Sequence, residues 1–169
     1  MVDIPKKAQA VIIGGGVSGC SVAYHLAKAG WTDIVLLERK QLTSGTTWHA
    51  AGLIGQLRGS KNMTNLAKYS AQLYVNLEAE TGVATGMRQV GSISVALTKA
   101  RHEELLRQAT LARILDVEVH EISPTDVKAM YPHLNVSDVV GPYICRLMGN
   151  ATLPISPWLW PKGRVCAAR

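Results

Sequence analysis

The chain has 169 residues, 47% of them hydrophobic, and a formal net charge of +6. That is enough apolar material for the core of one ordinary domain, and it excludes a disordered or low-complexity chain. The basic residues are scattered and mixed with acids, as in RHEELLRQ, which speaks against a nucleic-acid surface.

No apolar run approaches the roughly 20 residues that a membrane-spanning helix needs, so no membrane partner is expected. Cys20, Cys145 and Cys166 lie far apart and outside any C-x-x-C. Neither a metal site nor a disulfide framework is expected, and a reducing compartment is the default. Lys6-Lys7 followed by an apolar run before Cys20 imitates a lipoprotein signal. Gly14-Gly15-Gly16 would break the helix such a signal requires, and Asp3 sits in its basic region. No Arg- and Ser-rich transit segment precedes the first strand, so a cytoplasmic location is expected.

AQAVIIGGG is a short β-branched apolar run ending in glycines and reads as a buried strand. Val17 to Ala29 carries Val22, Ala23, Leu26 and Ala27 at helical spacing, and Gly30 stops it. DIVLLER is a second buried strand ending at Glu38. Strand, helix and strand in this order make a βαβ unit. Asn62 to Thr81 reads as an amphipathic helix with Met63, Leu66, Ala67, Leu73, Tyr74 and Leu77 on its apolar face. GSISVAL alternates Ile93, Val95 and Leu97 as a half-buried strand would. Thr98 can cap a helix running to about Leu115, with Leu105, Leu106, Ala109 and Ala112 inward. VEVHEI is another strand. SPTD places an N-cap at Ser123, proline at the first helical position and Asp126 three after the cap, and Pro132 ends that helix. The Met and Tyr residues of these helices read as core. His102, His120 and His133 have no partner constellation and read as surface residues.

The chemistry sits in the first part. Gly14-x-Gly16-x-x-Gly19 follows a strand, opens a helix and is answered by an acid at the end of the next strand. Gly14 permits the tight turn, Gly16 lets a pyrophosphate approach the backbone, and Gly19 lets helix and strand pack closely. The helix N-terminus offers partial positive charge, and Glu38 is placed to accept from a ribose diol. This turn serves NAD and FAD alike. The choice comes from the next segment, LTSGTTWHAAGL, where Gly45, Thr46 and Thr47 offer N–H groups and hydroxyls to a pyrophosphate and His49 follows.

ERKQLTSGTTWHAAGL, the glycine-rich turn and AETGVATGMRQVGSISVAL resemble the sarcosine and dimethylglycine dehydrogenases, over about Ala8 to Gly141. The resemblance implies an α/β fold: a Rossmann-like FAD-binding βαβ unit of the glutathione-reductase and amino-acid-oxidase type, then the start of an α+β substrate domain. It implies FAD held by Gly14, Gly16, Gly19, Glu38, Arg39, Gly45, Thr46 and Thr47, with the 8α-methyl of the flavin joined covalently to His49 and Trp48 packed beside the ring. In that family a hydride leaves the N-methyl carbon of sarcosine or dimethylglycine, and the resulting iminium is hydrolysed or its one-carbon unit is captured at a separate tetrahydrofolate domain. The expected partner is a small N-methylated amino acid, and the electron acceptor is left open. No catalytic base is assigned, because the resemblance implies that the substrate-binding residues come largely from segments outside this sequence. The family also has non-catalytic relatives that regulate a phosphatase of the pyruvate dehydrogenase complex, which gives the rival reading.

The expected organisation is residues 1–85 for the N-terminal part of the FAD domain, 86–141 for the start of the substrate domain, and 142–169 for an out-of-frame tail. LPISPWLWPKG, read one base earlier in a permitted back-translation, becomes the family-like PADLTMALAKG, with a capped amphipathic helix in place of PWLWP. The family's enzymes are several times longer, so the 169-residue chain alone is expected to be inactive.

Overall fold

The computed structural model describes residues 5–141, 143–146, 148–150 and 164–167, with side-chain surroundings for 5–141. The proposed frame change falls mostly outside the described residues, Trp158 and Trp160 included. The chain divides into two compact units. The first takes the N-terminal residues to Gly52, Asn76–Gly86 and the strand at 164–167; the second takes Leu53–Val75 and the described residues from Met87 to Asn150.

The first unit is built on the βαβ unit: β1 (Ala10–Ile13), α1 (Val17–Lys28) and β2 (Ile34–Glu38). β1 and β2 pair in parallel from Ala10↔Ile34 to Ile13↔Leu37. β2 is the central strand, because 164–167 pairs in parallel with its other edge. Ile34, Val35 and Leu36 are accordingly buried. α1 covers the strands with Cys20, Ala23 and Tyr24, not with the expected Val22, which is 49% exposed. Cys20 and Tyr24 are one turn apart and define a stripe displaced from the one that hydropathy alone suggests. On the far side of Tyr24 its hydroxyl donates to the Glu80 carboxylate at 2.7–2.8 Å, and Lys28 Nζ donates to the Tyr24 hydroxyl at 3.0 Å.

The second unit contains two small antiparallel sheets. In one, β3 (Leu53–Gly55) and β4 (Arg88–Gln89) flank the strand at 148–150. In the other, β5 (Ser92–Ser94) and β6 (Val119–Ile122) flank the strand at 143–146. α2 (Lys61–Thr81) supplies residues to both units. Its expected stripe fails at Met63 and Leu66, which are 53% and 58% exposed, and Tyr69 is also exposed. The buried positions are Thr64, Ala71 and Leu77. Thr64 is tolerated there because its hydroxyl accepts from the Arg58 N–H at 3.0 Å and donates to the Arg58 carbonyl at 3.2 Å.

α3 (Lys99–Ile114) follows its sequence closely. Thr98 caps it by accepting the Arg101 N–H, and Leu105, Ala109 and Ala112 are fully buried. Lys68 Nζ donates to the Leu115 carbonyl at 2.8 Å, placing a cation at the helix's negative end. α4 (Pro124–Met130) has the full capping box of Ser123 and Asp126 with Pro124 in its first turn. Leu97 lies beyond the end of β5 and is 64% exposed.

Candidate functional site

The site forms in the first unit where β1 hands over to α1. Gly14 has φ +105°, a conformation that L side chains rarely adopt, and its N–H donates to the Leu37 carbonyl at 2.8 Å. A Cβ at Gly19 would collide with the Gly14 carbonyl oxygen. These two glycines therefore set the sharp turn and the close seating of α1. The N–H groups of Gly16 and Ser18 have no partner among the described residues. Both residues line the cleft at the positive end of α1, a pairing suited to a phosphate.

Glu38 closes one side. Its Oε2 accepts the Gly15 N–H at 2.8 Å and its Oε1 accepts the Lys40 N–H at 2.9 Å. The Gly15 N–H first, then that of Lys40, hold the carboxyl below the ordinary glutamate range. Each oxygen keeps a second lone pair for a sugar hydroxyl.

The loop after β2 closes the other side. Thr43 is buried with φ +63°, uncommon for a β-branched residue, and its N–H donates to the Gly15 carbonyl at 2.8 Å. A 3₁₀ turn follows at Thr46–His49. Its one buried member is Thr47, whose hydroxyl accepts the Val17 N–H at 2.9 Å. Trp48 is 61% exposed. His49 is exposed, and its Nδ1 lies 3.0 Å from the Gly45 carbonyl. A carbonyl only accepts, so Nδ1 carries a proton, and in the neutral imidazole the lone pair lies on Nε2.

These walls enclose a cleft of about 550 Å³. Gly14, Gly16, Gly19, Glu38, Arg39, Gly45, Thr46 and Thr47 all line it, so eight of the nine residues singled out from sequence converge. His49 is not among the lining residues; it stands on the same 3₁₀ turn. Lys40, Thr43 and Ser44 also line the cleft and were not singled out. Their only sequence signal is position, between the acid and the glycine of the loop.

Among the other histidines, His120 is exposed beside Glu118 at 2.7 Å and His133 stacks edge-on against Tyr131. His102 departs from expectation. It packs under Gly141, where any side chain would collide with the imidazole, and its Nδ1 is buried without a partner among the described residues. Among those residues no group of His, Cys, Asp and Glu could hold a metal, and no helix is long and apolar enough to cross a membrane.

A parallel βαβ unit with a glycine turn, a free helix N-terminus and an acid at the end of β2 defines a dinucleotide-binding protein of the Rossmann type. Residues 9–149 match the FAD dependent oxidoreductase (DAO) family, and the chain belongs to it. It is 45% identical over 82% of its length to human mitochondrial sarcosine dehydrogenase, and 45% identical over 79% to human mitochondrial dimethylglycine dehydrogenase. It is also 45% identical over 83% to the mouse mitochondrial pyruvate dehydrogenase phosphatase regulatory subunit. The chain spans only 15–16% of the length of these relatives. In three dimensions it resembles L-proline dehydrogenase from P. horikoshii, with a TM-score of 0.79 and 25% identity over 88% of this chain and 39% of that one.

Proposed function

We propose that this chain forms the cofactor-binding opening of a dehydrogenase that oxidises the N-methyl carbon of sarcosine or dimethylglycine, with FAD attached covalently at His49. One observation carries the attachment: Nδ1 donates to the Gly45 carbonyl, so in the neutral imidazole the lone pair lies on Nε2, the nitrogen able to act as the nucleophile. The substrate class is supported by the relatives at 45% identity.

The cradle fits the cofactor. Gly16 brings bare backbone to the cleft, the Gly16 and Ser18 N–H groups and the positive end of α1 would hold the pyrophosphate, and Glu38 would accept from the ribose. Arg39, Gly45, Thr46 and Thr47 complete the walls, and Trp48 would pack beside the ring once that ring is present. FAD, when bound, supplies the two-electron oxidation; the protein binds and orients. No residue of this chain is assigned as a proton acceptor from substrate.

The test is acid denaturation of the full-length protein, followed by a search for flavin on the peptide containing Trp48-His49. Flavin on that peptide, together with turnover of sarcosine or dimethylglycine, supports the proposal. Flavin released entirely to the supernatant refutes the attachment. The regulatory relative motivates a second reading, in which the fold binds a partner and turns over no amine. Bound flavin with no oxidation of either amine would favour that reading.

A further inference from the structure

The 3₁₀ turn that carries His49 is exposed at Thr46, Trp48 and His49, yet its polar Thr47 is 8% exposed. A buried hydroxyl is tolerated only with a partner, and here the partner is the Val17 N–H at 2.9 Å. Val17 is the first residue of α1, and the N-cap position, Gly16, has no side chain to do this work. The cap comes instead from thirty residues away. A Cβ at Gly16 would sit 3.2 Å from the Thr47 hydroxyl, so the glycine turn is also shaped to admit this threonine.

We propose that Thr47 is a positioning residue: by capping α1 through Val17 it fixes the turn bearing His49 against the dinucleotide turn. The link runs through covalent neighbours. Trp48 N–H donates to the Gly45 carbonyl, Ala50 N–H donates to the Thr47 carbonyl, and the His49 ring returns to Gly45. The turn is thus closed on itself, and among the described residues its one hydrogen bond to α1 is that of the Thr47 side chain. Thr43, bonded to the Gly15 carbonyl, anchors the same loop upstream but does not belong to the turn. This inference rests on His49 as the flavin site, and it adds what aims the imidazole there. Attachment would join Nε2 to the 8α carbon as that carbon gives up a proton. The electron pair of the broken C–H bond would reduce the flavin, the imidazole would shed its Nδ1 proton, and dioxygen would be the oxidant that restores the flavin. Such attack is sensitive to displacements on the scale of an ångström.

The bond can be cut from either side. Thr47→Val removes the acceptor while keeping the branched shape. Val17→Pro removes the donor at a first helical position, where proline is tolerated, after a Gly16 already extended at φ −77°, ψ −178°. FAD is added to flavin-free, full-length protein, and the rate of covalent attachment is followed as a function of FAD concentration. Each single variant should lower the saturating rate at least about tenfold. The double variant should be no slower than the slower single, and Thr47→Ser should restore the rate to within about threefold. Multiplying effects, a change only in the half-saturating FAD concentration, or no rescue by serine would overturn the proposal. Retention of covalent flavin in His49→Ala, or no covalent flavin in the unsubstituted protein, would refute the His49 reading instead. Where no covalent flavin forms, the same pair of variants is read instead in the dissociation constant for FAD, where additive losses overturn the brace and non-additive losses uphold it.

Discussion

Glu38 Oε2 accepts the Gly15 N–H at 2.8 Å. The acid at the end of β2 and the turn after β1 are therefore one unit, set by the parallel pairing that ends at Ile13↔Leu37. The carboxylate that would receive a ribose is oriented by the loop that would receive the phosphates.

Glu38→Ala removes the ribose acceptor and the brace on Gly15 together. FAD capture should weaken by about 1.5–3 kcal/mol, the scale of a hydrogen bond to a charged group. In Kd that is roughly 10- to 150-fold. The measurement belongs in a His49→Ala background, where covalent attachment cannot mask dissociation. An unchanged Kd there would remove Glu38 from the site.

The same contacts fix a pH dependence. The Gly15 and Lys40 N–H groups lower the Glu38 pKa in the folded protein. A depressed carboxylate pKa gives stabilisation that is complete above the unfolded value and lost as pH falls through the folded one. Both resistance to denaturant and non-covalent FAD retention should therefore decline on the acid side, below the ordinary glutamate range. Glu38→Gln should flatten that limb. A limb of equal steepness in Glu38→Gln would assign it to other carboxylates.

The elements were legible where the sequence carries local chemistry. Gly14, Gly16 and Gly19 with Glu38 mark the βαβ unit, Thr98 marks the start of α3, and Ser123 with Asp126 marks α4. What could not be read depends on distant partners. β3 pairs with 148–150, nearly a hundred residues further on, and its three residues carry no period of their own. The buried face of α2 is set by Thr64 bonding to Arg58, a polar contact that hydropathy scores against burial. Thr47 was legible as a cleft residue, but its bond to Val17 exists only once the loop folds back on the turn. Thr43 adopts its left-handed backbone because Gly15 offers a carbonyl there, not because threonine prefers it.

Gly19→Ala tests the seating of α1. The added methyl collides with the Gly14 carbonyl oxygen and meets Ile12 Cγ2 at 3.4 Å. Backbone cannot rotate away as a side-chain tip would, so α1 must lift from β1. The expected loss is about 1–3 kcal/mol in urea unfolding, with an unchanged m value if folding stays two-state. Wild-type stability in Gly19→Ala would mean that helix and strand stand further apart than the structure has them.

Adjacent leucines in α3 offer an internal control in the second unit. Leu105 is fully buried against Ala96, Ala109 and Val119, whereas Leu106 is only partly covered. The sequence places both on the same apolar face, so hydropathy predicts equal losses. The packing predicts unequal ones. Leu105→Ala removes a side chain enclosed by small neighbours, and Ala96 and Ala109 are too short to collapse into the space. Its cost should reach about 2–5 kcal/mol. Leu106→Ala removes a side chain that still meets water, so only part of the transfer free energy is lost and no closed cavity remains. Its cost should stay below about 1.5 kcal/mol, the lower end of what fully burying such a side chain is worth. Chemical unfolding of both variants under one set of conditions makes the comparison. Equal losses would mean that α3 is rotated about its axis relative to the orientation described.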